Sequence, residues 1–215
     1  KFYSYARNLC VLASNVCFDD YSILQTLFEL YQDNLQRGYL HYEGMLHSSM
    51  YLSVTVIALQ LKHYDWALAF IESHKNEIIE ENEQRDFYRL NLAKYLFATG
   101  RFEECLAHIP DNSAFVNYLL HGKRLQIKAL YELDSEQLAY KLDAFKMFLI
   151  RTSLKLMSEE MKELNMLFAN FLNQIIHSVP GDRQRSELLI KRIKEKRRAN
   201  EYGWLLEKAR GVGER

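Results

Sequence analysis

The chain has 215 residues, 48% of them hydrophobic, with 28 basic and 28 acidic side chains, 2 Pro, 8 Gly and 3 Cys. A net charge of zero argues against general polyanion binding as the main task. So few breakers disfavour an all-β fold, and three cysteines are too few for a disulfide framework.

Taken in chain order, Phe2, Tyr5, Leu9, Leu12 and Val16 predict an amphipathic helix over 2–18. Cys10 and Cys17 lie two turns apart on it, too distant to bridge easily. Asp19 and Asp20 are caps for a second helix with the stripe Tyr21, Leu24, Leu27, Phe28, Tyr31 and Leu35. Gly38 stands where a helix end takes a left-handed residue. Ser48 or Ser49 starts a third helix, to about Leu61, and Tyr64 to about Glu80 forms a fourth, with His74 and Ile78 on its apolar face.

The acidic segment Glu77–Asp86 reads as a loop and the start of a fifth helix, Phe87–Ala98, which stops near Gly100. Phe102–Ile109 is a short sixth helix closed by Pro110. Caps at Asp111–Ser113 open a seventh, to about Leu133, that Gly122 is expected to kink. Ser135 starts an eighth with Leu138, Leu142, Phe145, Phe148 and Leu149 apolar. Ser158 starts a ninth that carries Leu164, Phe168, Phe171, Leu172 and Ile175. Val179-Pro180-Gly181-Asp182 is the strongest break. A charged helix over about Arg183–Arg198 follows, then a last turn or two around Trp204-Leu205-Leu206. The β-branched run Val54–Ile57 sits inside a helical period, so no strand is expected.

Two stretches carry the organisation. In Tyr64, Ala67 and Ile71 an aromatic, a small residue and an isoleucine follow at steps of three and four. Phe102, Cys105 and Ile109 repeat the pattern 38 residues later. Such a period points to stacked helical hairpins, which mostly hold other molecules rather than transform them. The segment Leu90–Ile109 resembles a tetratricopeptide repeat, with Ala93 and Cys105 at the two small-residue positions and Leu92, Leu96, Gly100, Phe102 and Ile109 filling the pattern. Upstream, Tyr51, Val54, Thr55, Tyr64, Ala67 and Ile71 match the same register, with Lys62 where Gly is usual. Downstream, a degenerate unit places Asp134 at the turn and Ala139 on the second helix. The break Pro180-Gly181-Asp182 and the tail Trp204–Ala209 are similar to those of a group of uncharacterised bacterial helical-repeat proteins.

The resemblance implies an all-α fold, a right-handed α-solenoid of antiparallel helix hairpins. It divides as a cap over 1–47, repeats over 48–150, a capping helix over 151–180 and a charged helical tail over 181–215. It also implies a non-enzymatic scaffold that binds a peptide or partner helix in a concave groove. Groove positions carried over on this register are Ser49, Leu52, Val56, Leu59 and Gln60, then Phe87, Leu90, Lys94 and Phe97, then His121, Arg124, Lys128 and Tyr131. The sharpest expectation rests on Leu52, Val56, Leu59, Leu90, Lys94, Phe97, Arg124, Lys128 and Tyr131. The competing expectation is that some of these positions pack against the N-terminal helices.

Residues 181–215 hold 11 basic and 6 acidic side chains, against 17 and 22 in the rest. The run Lys191, Arg192, Lys194, Lys196, Arg197 and Arg198 supplies the alternative function, a regulatory or nucleic-acid-associated module that touches phosphate or an anionic lipid surface. The preferred reading of that run is a solvated terminal helix, because no aromatics interleave it. A third reading is a helical domain of an enzyme whose active site lies in flanking sequence. Lys1 in place of Met reads as a fragment.

Seven histidines are scattered, with no HExxH pair and no zinc-spaced cysteines. His41 and His47 flank a turn without an evident third ligand, so no metal and no cofactor are expected. No phosphate loop, nucleophile elbow or assembled catalytic set is present; the Gly211-Val212-Gly213 tail has no following helix. No small-molecule substrate is indicated. The charge-free stretch Gly44–Leu61 is too polar and short for a membrane span. Reduced, buried thiols fit a cytoplasmic protein.

Overall fold

The computed structural model describes residues 21–111 and 115–214. The expected helix over 2–18, with Cys10 and Cys17, and the caps Asp19, Asp20, Asn112 and Ser113 lie outside the described residues. The chain divides into two compact units, one ending at Leu133 and one beginning at Asp134. Both are mainly helical, so the all-α class holds. No helix among the described residues is long and apolar enough to cross a membrane.

The first unit contains α1 (Tyr21–Gln36), a small hairpin of β1 (His41–Tyr42) and β2 (Met45–Leu46), and α2 (Ser48–Gln60). It continues with α3 (Tyr64–Ser73), α4 (Gln84–Ala98), α5 (Phe102–His108) and α6 (Val116–Glu132). Helices α2, α4 and α6 are neighbours in a row. Helix α3 packs on α2 and α4, and α5 on α4 and α6. Helix α2 carries no charge and buries Tyr51, Leu52, Val54, Thr55, Ile57 and Ala58, as a helix with neighbours on several sides must. Thr55, Ala67, Ala93 and Cys105 have no exposed surface. These are the small residues of the repeat pattern, and side chains of that size let helix axes approach closely. The Thr55 hydroxyl donates to the Tyr51 carbonyl at 2.9 Å, so this buried polar group is satisfied.

Three helix ends share one closing geometry. At Gly38, Lys62 and Gly100 the backbone is left-handed, with φ of 72°, 62° and 77°. Their amides bond back to Leu35, Leu59 and Phe97. The next amides, of Tyr39, His63 and Arg101, reach Asn34, Ala58 and Leu96. This is the Schellman arrangement, which satisfies carbonyls that a helix end leaves orphaned. Lys62 adopts it without being glycine. Asp134, at the turn expected after α6, also has positive φ, 48°.

Several expectations need correction. Helix α3 ends at Ser73, not near Glu80, because His74 already closes it and the chain turns to run beside β2. Ile78 is fully buried, but in a bridge to Leu46 rather than on a helix. The hairpin 41–46 was not expected at all. Glu43 and Gly44, both with positive φ, make its two-residue turn. Gly122 does not interrupt α6; it makes room, since a Cβ there would meet Ile109 Cγ2 at 3.4 Å. Ala139 is exposed, so the degenerate third unit lacks the buried small residue that its register requires.

The second unit holds α7 (Leu138–Arg151), α8 (Glu159–Ile176), α9 (Arg183–Glu195) and α10 (Tyr202–Glu214). Ser158 caps α8 through its side chain to the Met161 amide at 3.2 Å, and Asp182 caps α9 through the Arg185 amide at 2.9 Å. The charged helix therefore ends at Glu195, three residues short of expectation. The expected last turns are a full 13-residue helix, α10, which contains Gly211, Val212 and Gly213. Helices α9 and α10 pack closely through small groups. Ser186 Oγ donates to the Ala209 carbonyl at 2.8 Å, and a Cβ on Gly213 would lie 3.1 Å from Ser186 Cβ. The core of this unit gathers Leu142, Phe145, Leu149, Phe168, Leu172, Leu189, Ile193, Leu205 and Leu206.

Candidate functional site

The residues expected to line a groove fall into two layers. Leu52, Leu90, Arg124 and Lys128 are buried, at 9%, 1%, 4% and 9% exposure. Val56, Leu59, Lys94, Phe97 and Tyr131 are half-buried and reach the surface. Of the wider set, Phe87 is buried, His121 half-buried, and Ser49 and Gln60 exposed. Alternation along each helix explains the split: the period of 3.6 turns some positions inward that a repeat template assigns outward.

One part of the set is brought together. The Lys128 ammonium lies 4.4 Å from the centre of the Phe97 ring, a cation–π contact between α6 and α4. Arg124 Nη2 lies 2.9 Å from His121 Nδ1 on the same helix. Beneath them is Cys105, whose thiol is pushed up to about 12 by burial, against the opposing pull of the Lys128 and Lys94 charges. Desolvation outweighs two nearby cations, so Cys105 is a packing residue and not a thiolate nucleophile.

The basic run lies at the end of α9 and just beyond. Lys191, Arg192, Lys194, Lys196, Arg197 and Arg198 are all exposed. Two are tethered within their own unit: Arg192 donates to Gln174 Oε1 at 2.7 Å, and Arg198 pairs with Glu160. The pair of Arg198 with Glu160, on α8, is exposed and of small energetic weight.

A third constellation was missed in the sequence. His41 of β1 does not partner His47, which is exposed and lies 4.0 Å from Glu80. Instead, His41 Nε2 lies 3.6 Å from Glu77 Oε2, and His74 Nε2 lies 3.8 Å from the same oxygen. The three ligand-type atoms lie within 4.8 Å of one another. Glu80 has a separate task. It accepts from the Ser48 amide at 3.1 Å and the Ser48 hydroxyl at 2.9 Å, which caps α2 from a distance of 32 residues. The readable signal was His74-x-x-Glu77; the hidden one was the hairpin that delivers His41.

No protein-family model, curated protein or solved structure matches the chain.

Proposed function

We propose that this chain is a non-enzymatic protein-interaction scaffold of tetratricopeptide character, its hairpins stacked as a right-handed α-solenoid that holds a peptide or partner helix. The observation that carries this reading is the full burial of Thr55, Ala67, Ala93 and Cys105 at the repeat's small-residue positions, with α2, α4 and α6 in a row. In this reading Val56, Leu59, Lys94, Phe97 and Tyr131 touch the partner. Leu52, Leu90, Arg124 and Lys128 support them from below. A cytoplasmic location fits the buried free thiol of Cys105.

The test is affinity capture of the full chain from its host, with Lys94→Glu and Phe97→Ala variants checked for unchanged circular dichroism. Loss of a specific partner supports the reading, and an unchanged partner set removes those residues from it. The exposure of all six cations over 191–198 favours a second reading, contact with nucleic acid. That reading requires salt-sensitive binding to short duplexes, abolished by neutralising Lys191, Arg192, Lys196 and Arg197 together.

A further inference from the structure

We propose that His41, His74 and Glu77 form a binding site for a zinc-class divalent cation, distinct from the partner surface.

The backbone brings the three together from separate stretches. Glu43-Gly44 folds β1 against β2, which pairs His41 with Leu46. Leu46 in turn bonds to the far stretch: its amide donates to the Glu77 carbonyl, and the Ile79 amide donates to the Leu46 carbonyl at 2.9 Å. Leu46 and Ile78 are fully buried beneath this junction, so it is anchored in the core. His41 on β1 and Glu77 beside the isolated bridge at Ile78 thus flank β2, and His74 is placed by the end of α3.

The orientation of the His74 ring is set by its surroundings. Its Nδ1 lies 3.1 Å from the Phe70 carbonyl and 2.7 Å from the Ser73 hydroxyl, and these two contacts hold the ring with Nε2 towards Glu77. Its Nε2 lies 3.8 Å from the Glu77 carboxylate. An imidazole nitrogen and a carboxylate oxygen turned towards one point form two sides of a cation site. A backbone carbonyl holding the remote nitrogen is also the usual way a ligating imidazole is oriented.

The spacing fits a small metal ion. Tetrahedral zinc with bonds of about 2.0–2.2 Å places its ligand atoms about 3.3 Å apart. The observed 3.6 and 3.8 Å to Glu77 need a few tenths of an ångström of closure, and the two imidazoles, whose ligand atoms lie within 4.8 Å of each other, need at most about 1.5 Å. The imidazole rings lie 6.0 Å apart and within 29° of parallel. Two imidazoles and a carboxylate suit zinc better than calcium or magnesium, which prefer all-oxygen sets. The side chains of His41 and His74 are 18% and 22% exposed and that of Glu77 43%, so the imidazoles are sheltered while one side opens to solvent for a water ligand.

The experiment uses the full chain, stripped with a chelator and titrated with zinc chloride in competition with a chromophoric chelator. One zinc ion per chain at micromolar affinity or tighter is expected. His41→Gln, His74→Gln and Glu77→Gln each weaken it about 10-fold or more, while His108→Gln and His177→Gln do not. Wild-type imidazole ¹⁵N spectra give a reading free of any folding defect: zinc shifts Nε2 of His41 and His74 selectively. Absence of binding overturns the proposal. So does affinity unchanged in the three variants, or equal shifts across all seven histidines. None of these results bears on partner capture, so the site and the scaffold fail separately.

Discussion

The Tyr118 hydroxyl donates a hydrogen bond to the Ser48 carbonyl, 70 residues earlier in the chain. This ties α6 to the first turn of α2, and Glu80 holds the amide and hydroxyl of the same serine. Ser48 is thus a junction for three distant segments. Tyr118→Phe keeps the ring against Phe87, 4.3 Å between centres, and removes only the donor. It is expected to lower stability by about 1 kcal/mol in urea unfolding. A change below about 0.2 kcal/mol would show that the bond is not formed in solution.

Lys62 occupies a left-handed cap that Gly38 and Gly100 fill elsewhere. A side chain there costs about 1 kcal/mol. Lys62→Gly is expected to raise the melting temperature by several degrees, and Gly100→Ala to lower it. The pair of melting curves tests whether the caps at Lys62 and Gly100 are equivalent.

Cys105 links burial to pH. Its thiol titrates near 9 when exposed and is pushed up to about 12 in the folded protein by desolvation. Burial also holds the Tyr51 and Tyr118 phenols well above their usual range. Between about pH 9 and 12 the unfolded chain has lost the thiol proton that the folded chain retains. Stability is therefore complete below pH 9 and falls as pH rises through that window. Urea midpoints at pH 7, 9 and 11 check this, and Cys105→Ala is expected to reduce the slope. In a Cys10→Ser/Cys17→Ser background, Cys105 is expected to resist thiol reagents at pH 8 until the protein is unfolded.

Two glycines of α10 make opposite predictions. A Cβ on Gly211 meets nothing within 4 Å, whereas one on Gly213 meets Ser186 at 3.1 Å. Gly211→Ala is expected to stabilise by about 0.5–1 kcal/mol through helix propensity. Gly213→Ala is expected to destabilise by pressing α9 away, and the larger Gly213→Val to do so by about 1–3 kcal/mol. Unfolding monitored by Trp204 fluorescence reads both.

Most helices were legible in the sequence because their apolar positions recur at helical spacing and their ends carry Gly, Ser or Asp in the right places. Ser158 caps as its position suggested, and Asp182, read only as part of a break, caps the helix that follows it. The burial of Ala67, Ala93 and Cys105 was legible too, since small residues recur on the apolar faces of their helices. What failed was tertiary in origin. Ile78 continued the helical period of α3, yet a partner strand at Leu46 captured it. The hairpin that supplies that strand is two residues a side, too short to show alternation. The expected groove positions split for a similar reason. Burial of Arg124 and Lys128 depends on neighbours that the period of α6 alone does not reveal. The His41, His74 and Glu77 cluster was hidden because its members join through the same unforeseen hairpin.

The most direct measurement is site-specific photocrosslinking in the native host, with the crosslinking residue at Leu59 on the proposed partner surface and at exposed Ala69 on α3. A scaffold that holds its partner along α2, α4 and α6 predicts a discrete crosslinked species from position 59 and none from position 69. The same species from both positions, or none from position 59, would contradict it.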